Sequence, residues 1–167
     1  MEFCVSAWPL AACQSGVLLA DVSKKNRYHF KHYGNYLGLS FQIIDDVMDI
    51  LGDEEELKKE PGQDFELGEV TLPILYLLDE ASKEEKMRII TLLRSQDPHS
   101  LLEIRKKIQQ SHSALQKTEA TAEKYLNRAS KELSFLSHSR YKLALLGIIN
   151  YIKQRSFKEK VSTASKT

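Results

Sequence analysis

Three carboxylates within five residues are the feature of this chain best suited to chemistry. Asp45, Asp46 and Asp49 close the stretch GLSFQIIDDVMD, residues 38–49. On a helix that advances about 100° per residue, Asp45 and Asp49 lie one turn apart on one side. Gln42 stands one turn earlier, three residues before Asp45 and four before Asp46. Leu39, Phe41, Ile43, Ile44, Val47, Met48 and Ile50 fill most of what remains. A helix this apolar is predicted to be buried. Carboxylates crowded on a buried helix repel one another and are costly to desolvate unless a cation joins them. Mg2+, which keeps several waters and bridges one or two carboxylates to phosphate oxygens, is the natural candidate.

Holding these groups requires a long helix, and the pattern predicts one from about Lys24 to Ile50, with Ser23 as its N-cap. Its first half is amphipathic, with Tyr28, Tyr33, Tyr36 and Leu37 set among Lys24, Lys25, Arg27, Lys31 and Asn35. Gly34 and Gly38, one turn apart, leave a smooth strip for close packing of another helix. Before it, Pro9 opens a helix to about Ala20. After it, Gly52 to Gly68 reads as a loop rich in charge and containing Pro61-Gly62, the kind of loop that serves a neighbouring site. Thr71-Leu72-Pro73 then starts a short helix over Ile74–Leu78. Ser82 and Glu85 form a capping box for a helix from Lys83 to Arg94. Asp97-Pro98 caps another to Gln110. A stripe of Leu115, Ala122, Tyr125, Leu126, Ala129 and Leu133 predicts a helix from Ser113 to Leu136, and Ser139 caps a last one to Arg155. No strand pattern and no internal repeat is visible.

The composition narrows the function classes. Lys and Arg number 24 against 23 Asp and Glu, a net charge of +1, which argues against bulk electrostatic binding to nucleic acid or anionic membrane. The length of 167 residues suits one domain with a real core. Cys4 and Cys13 have neither metal-ligand nor disulfide-framework spacing, so a reducing cytoplasm is the expected setting. Phe3 to Ala20 is free of charge, and Leu10-Ala11-Ala12-Cys13 has the look of a lipoprotein cleavage site. No Lys or Arg precedes it, so a buried helix is expected instead. Leu143 to Ile152 is far shorter than the ~20 apolar residues of a membrane span. His29 and His32 have no third ligand nearby and read as a surface pair. Trp8 and the tyrosines are expected in the core. Lys106, Lys107 and Lys117 read as a solvated face, and Arg155 and Lys158 as a basic helix C-terminus.

The stretch from Tyr33 to Asp49, YGNYLGLSFQIIDDVMD, resembles the second aspartate-rich region of the trans-polyprenyl diphosphate synthases, the prenyl-elongating enzymes that include the farnesyl and geranylgeranyl synthases. Pro61-Gly62-Gln63-Asp64-Phe65 and Gly68-Glu69-Val70-Thr71-Leu72-Pro73 resemble the segment that follows in that family, GKPxGxDL…GKxTLP. Ala11 to Ala20 resembles the helix before it, and Leu143 to Arg155 the family's last helix, ending in Tyr-x-x-x-Arg. The resemblance implies Mg2+-dependent head-to-tail condensation of isopentenyl diphosphate with an allylic diphosphate. It implies Asp45, Asp46 and Asp49 as metal ligands, with Asp45 and Gln42 the catalytic candidates. Phe41, Gln42, Lys59 and Asp64 are implied to bind substrate.

Three departures accompany the resemblance. The family's first aspartate-rich motif lies upstream, and no second DDxxD occurs in the 167 residues. The family's Lys-Thr pair falls at Cys4 and Val5. The lysine of GKxTLP is replaced by Glu69, reversing a charge that would face pyrophosphate. The expectation is an all-α, isoprenoid synthase-type helical bundle, C-terminal part only: a partial polyprenyl synthetase domain over residues 1–157 and a disordered tail over 158–167. Such a truncated form would have weak or no activity alone. The alternative is a non-catalytic helical subunit paired with a full-length synthase. A homo- or heterodimer, no nucleic-acid partner and no transmembrane segment complete the expectation.

Overall fold

The computed structural model describes residues 7–51, 70–95 and 97–154, and within them the chain is all helix and connection. The helices are α1 (Ala7–Leu19), α2 (Lys24–Leu51), α3 (Leu72–Glu80), α4 (Lys83–Ser95), α5 (Pro98–Gln110), α6 (His112–Glu132) and α7 (Arg140–Gln154). The loop expected over 52–68 and the tail expected over 158–167 lie outside the described residues, as do Lys59, Asp64 and Arg155.

The predicted helix starts hold because their capping side chains do. Ser23 Oγ accepts from Asn26 N at 3.3 Å, and Ser82 Oγ from Glu85 N at 3.2 Å. Asp97 Oδ1 accepts from Ser100 N at 3.0 Å, and Ser139 Oγ from Lys142 N at 3.2 Å. Each satisfies an amide that the helix leaves without an internal partner. Two helices differ from expectation by more than a residue at an end. α3 is longer than predicted at both ends, with Thr71 as its N-cap and Pro73 inside its first turn, where the missing N–H costs nothing. α6 stops at Glu132 rather than Leu136, because the chain tightens into i→i+3 bonds: Leu133 N to Ser130 O, Ser134 N to Lys131 O and Leu136 N to Leu133 O. Asp21, at φ 46°, makes the left-handed corner between α1 and α2, a conformation that Asp tolerates better than most residues.

The chain forms two compact units, and α2 and α6 each contribute to both. In the first (residues 7–44 with 121–154), α2 is the central element. Tyr33, 1% exposed, donates its hydroxyl to the Leu145 carbonyl of α7 at 3.0 Å. Gly34 meets α1: a Cβ there would lie 2.7 Å from the Pro9 oxygen and 2.8 Å from the Leu10 Cα, so no larger residue fits without displacing backbone. The predicted smooth strip is therefore real at Gly34. Burial, and next the neighbouring Cys13, push the Tyr33 hydroxyl well above the usual tyrosine range. Against α6, Tyr36 stacks on Tyr125 and lies under the Arg128 guanidinium. The predicted α6 stripe is buried at Leu115, Ala122, Leu126, Ala129 and Leu133, with Tyr125 half-buried.

In the second unit (residues 45–120), Val47 and Ile50 of α2, Ile74 of α3, Ile89 of α4, and Ile104 and Ile108 of α5 are buried. Arg88 bonds Glu103 at 2.7 Å, and Lys107 bonds Glu85, tying α4 to α5. Lys107 is thus engaged rather than solvated. Lys117 is exposed, as expected, and also reaches Glu80 at 2.8 Å.

α1 departs most from expectation. Of its residues only Val17 is buried, while Trp8 is 68% and Leu19 89% exposed. Absence of charge marks a helix that belongs in an interior, but this one has only its α2-facing side covered.

Candidate functional site

α2 carries Phe41, Gln42, Asp45, Asp46 and Asp49 on one rigid element, so their spacing is set by the helix itself. Gln42 to Asp49 spans about 10 Å at 1.5 Å per residue. Asp45 and Asp49, one turn apart, place their Cβ atoms about 6 Å from each other. The environment changes along the row. Phe41, Gln42, Asp45 and Asp46 are half-buried, whereas Asp49 is 2% exposed, beside Val47 and Ile50. The apolar positions expected to be buried are so at Ile43, Ile44, Val47 and Ile50.

The electrostatics of α2 run against its own dipole. Its first turn holds Lys24, Lys25 and Arg27 with no acid, and its last turn holds Asp49 with no base. A helix favours the opposite arrangement, acids at the N-terminus and bases at the C-terminus. Asp45 and Asp49, as like charges at i and i+4, add a further small penalty. An ion placed against this end relieves both terms.

The donors fit a hard divalent cation in kind, since all are carboxylate or amide oxygens. Among the described residues no three His, Cys, Asp or Glu side chains converge into a metal cage. Mg2+ does not require one: it binds through one or two carboxylates and completes its shell with water and phosphate. Asp45 and Asp49 match that mode, and Asp46, about 100° from Asp45 and about 60° from Asp49 around the helix, stands beside them.

Two polar clusters have no signal in sequence, because their members are far apart in the chain. His29 Nδ1 lies 2.8 Å from Glu132 Oε2, and the His29 ring stacks on Phe135. His29 is thus half-buried and partnered to a carboxylate, rather than a surface residue paired with His32; His32 packs instead against the rings of Tyr28 and Tyr36. Glu80, at the end of α3, accepts from Lys117 Nζ at 2.8 Å and from the Ser113 and Ser111 hydroxyls. Lys117, then the serines, hold the Glu80 carboxyl below its ordinary range, and Glu80 raises Lys117 in return. Trp8, Tyr28, Tyr141 and Tyr151 are exposed, so the expectation that Trp8 and the tyrosines are core is met by Tyr33 but not by these.

With the helix order and the aspartate row in place, comparison with known proteins is decisive. A sequence model of the polyprenyl synthetase family matches residues 7–111, which takes in α1, the aspartate row and α3 to α5. The chain belongs to the polyprenyl synthetase family. Among curated polyprenyl synthetases, it is 34% identical over 146 residues to heptaprenyl diphosphate synthase component 2 of Bacillus subtilis, covering 87% of this chain and 41% of that protein. The structure of heptaprenyl diphosphate synthase from Staphylococcus aureus superposes with a TM-score of 0.80 at 30% identity, over 89% of this chain and 46% of that one. A polyprenyl synthase from Caulobacter crescentus, solved in complex with calcium and isoprenyl diphosphate, superposes with a TM-score of 0.74 at 30% identity, over 88% and 45%. The all-α polyprenyl synthase fold is therefore that of this chain, which spans under half the length of these relatives. No helix among the described residues is long and apolar enough to cross a membrane.

Proposed function

We propose that this chain carries the second aspartate-rich jaw of a Mg2+-dependent prenyltransferase that joins isopentenyl diphosphate head-to-tail to an allylic diphosphate. The observation that carries the reading is the aspartate row itself: Asp49 buried at the end of an apolar helix, with Asp45 one turn before it, inside the family match. Asp45, Asp46 and Asp49 hold the ion, Asp45 foremost. When bound, Mg2+ neutralises the charge that builds on the departing diphosphate. Gln42, one turn earlier, places its amide beside the diphosphate or the allylic group. Phe41 and the apolar flank of α2 keep water from the cationic carbon. Lys59 and Asp64, which lie outside the described residues, are assigned to substrate binding by the family resemblance alone. The Caulobacter relative's complex with calcium and isoprenyl diphosphate supports a divalent ion and this ligand class.

Because the 167 residues hold one DDxxD, they supply one side of the site and have little activity alone. A second reading, a non-catalytic subunit that pairs with a full-length synthase, is favoured by Glu69 in place of the family lysine and by the "component 2" naming of the Bacillus relative.

The test is thermal unfolding with Mg2+ and pyrophosphate. At a ligand concentration about 100-fold above Kd, binding to the native state stabilises it by about 2.7 kcal/mol. Asp45→Ala should erase that gain. No response in the unmodified, folded chain would sink the metal reading. In a complex with a full-length synthase, activity unchanged by Asp45→Ala would instead select the non-catalytic subunit.

A further inference from the structure

The net charge of +1 hides a segregation of charge along the chain. The described residues of the first unit, 7–44 and 121–154, hold ten Lys and Arg against three acids, a net charge of +7. Two of those acids are engaged: Asp21 bonds Arg27 at 3.1 Å, and Glu132 meets His29 at 2.8 Å. The third, Glu123, lies about 140° around α6 from Arg128.

Cations gather where α2 and α6 run side by side. The two helices are antiparallel: His29 meets Glu132, while Tyr36, further along α2, meets Tyr125, further back on α6. On α2, Lys25, Tyr28, His32 and Tyr36 recur at helical spacing and form one stripe. On α6, Lys124, Arg128 and Lys131 form another, beside Tyr125. The groove between the stripes is lined by rings. Tyr28 lies 4.2 Å from His32, His32 5.8 Å from Tyr36, and Tyr36 6.1 Å from Tyr125. Lys25, Lys124, Arg128 and Lys131 are exposed, and among the described residues none of them makes a hydrogen bond or ion pair. Arg128 has only the Tyr36 ring beneath it, 5.7 Å away. In the second unit, by contrast, Arg88, Lys107 and Lys117 each hold a carboxylate.

Unpaired like charges along one groove attract a polyanion, and the geometry selects which. An interfacial helix sinks its apolar face into a bilayer, but that face of α2 is turned inward, with Tyr33 and Leu37 buried. Single-stranded nucleic acid needs free ring faces for its bases. Here the rings pack on one another and under Arg128. A carboxylate needs neither. A guanidinium lying over a ring keeps its N–H fork free for bidentate pairing with a carboxylate. From Lys25 to Tyr36 the groove runs about 16 Å, at 1.5 Å per residue. About five extended residues at ~3.3 Å each cover that length, and their alternate side chains point one way.

We propose that the groove between α2 and α6 binds an extended acidic segment of a partner protein, with carboxylates at alternate positions facing Lys25, Lys124, Arg128 and Lys131. The groove lies within the first unit and does not rest on the metal reading of α2.

A fluorescein-labelled peptide of alternating Glu and Ser, titrated with the 167-residue chain, tests this by fluorescence anisotropy. The expected result is saturable binding of one peptide per chain, weakened by added salt, with no binding of the matching Gln and Ser peptide. Arg128→Ala weakens binding severalfold, and so does Arg128→Lys, which keeps the charge but loses the planar fork. Lys124→Gln with Lys131→Gln weakens it as well. All these variants keep the helical circular dichroism of the unmodified chain, because the side chains are exposed. Asp45→Ala leaves binding unchanged, as does Lys83→Gln with Lys106→Gln, a pair of exposed lysines in the second unit. An equal loss from that pair, or a titration that never saturates, overturns the proposal, because bulk charge then accounts for the binding. It is overturned as well if phosphatidylglycerol vesicles or oligo(dT) bind the chain through Arg128 more tightly than the peptide does.

Discussion

A single carboxylate shows how this chain responds to acid. Glu80 is held below the ordinary glutamate value of 4.5 by Lys117 and then by Ser113. A depressed folded pKa gives stability that is whole above the unfolded value and is lost as pH falls through the folded one. Glu80→Gln should therefore lower Tm at neutral pH and flatten its decline below about pH 4.5. Parallel decline in both proteins would show that the pairing contributes nothing. The carboxylates of α2 obey a different balance. Asp45→Asn removes a like-charge contact with Asp49, worth about 0.2–0.5 kcal/mol. It should raise the Tm of the metal-free protein by about 1–2 °C, while erasing the response to Mg2+ and pyrophosphate. A carboxylate whose removal stabilises the protein is one kept for its chemistry. A drop in metal-free Tm would argue that Asp45 is structural. At this scale the sequence was legible where partners are neighbours: the aspartate row and all four capping side chains stand where their spacing placed them. It was blind to His29 with Glu132 and to Glu80 with Lys117, because nothing local marks a pair separated by a hundred, or by nearly forty, positions.

Helices were legible in type and only slightly off in extent, because their caps are local chemistry. The end of α6 was missed because Leu133 and Leu136 continue the apolar stripe; the hydrogen bonds that turn the chain there leave no mark in hydrophobicity. Exposure was the larger miss. Charge-free α1 reads as interior, and periodicity says which residues share a face without saying what meets that face. Close packing, by contrast, was foreshadowed by Gly34. Gly34→Ala gains about 1 kcal/mol in helix propensity, but overpacking against the Pro9 and Leu10 backbone costs about 1–3 kcal/mol. A net loss of about 1 kcal/mol is expected in urea unfolding, and a stabilised protein would show that α1 yields without cost. The two glycines with open surroundings, Gly16 and Gly147, should accept alanine without such a loss.

For the molecule as a whole, the fold class and family are carried by short motifs and confirmed by the superposition on known polyprenyl synthases. The exposed face of α1 was not legible, since it depends on which faces the tertiary packing leaves open. One more feature bears on how the protein can be handled. α2 and α6 each pass from one compact unit to the other without interruption, and the division falls after Ile44 and after Ala120, inside those helices. The units are therefore not cassettes. A split reporter, permuted chain or crossover with a relative made at either place would sever a run of backbone hydrogen bonds, and each piece would have to renucleate a helix, the costly step of helix formation. Breaks belong at the corner of residues 20–23 or the turn of residues 133–139, where the chain has already left the helix.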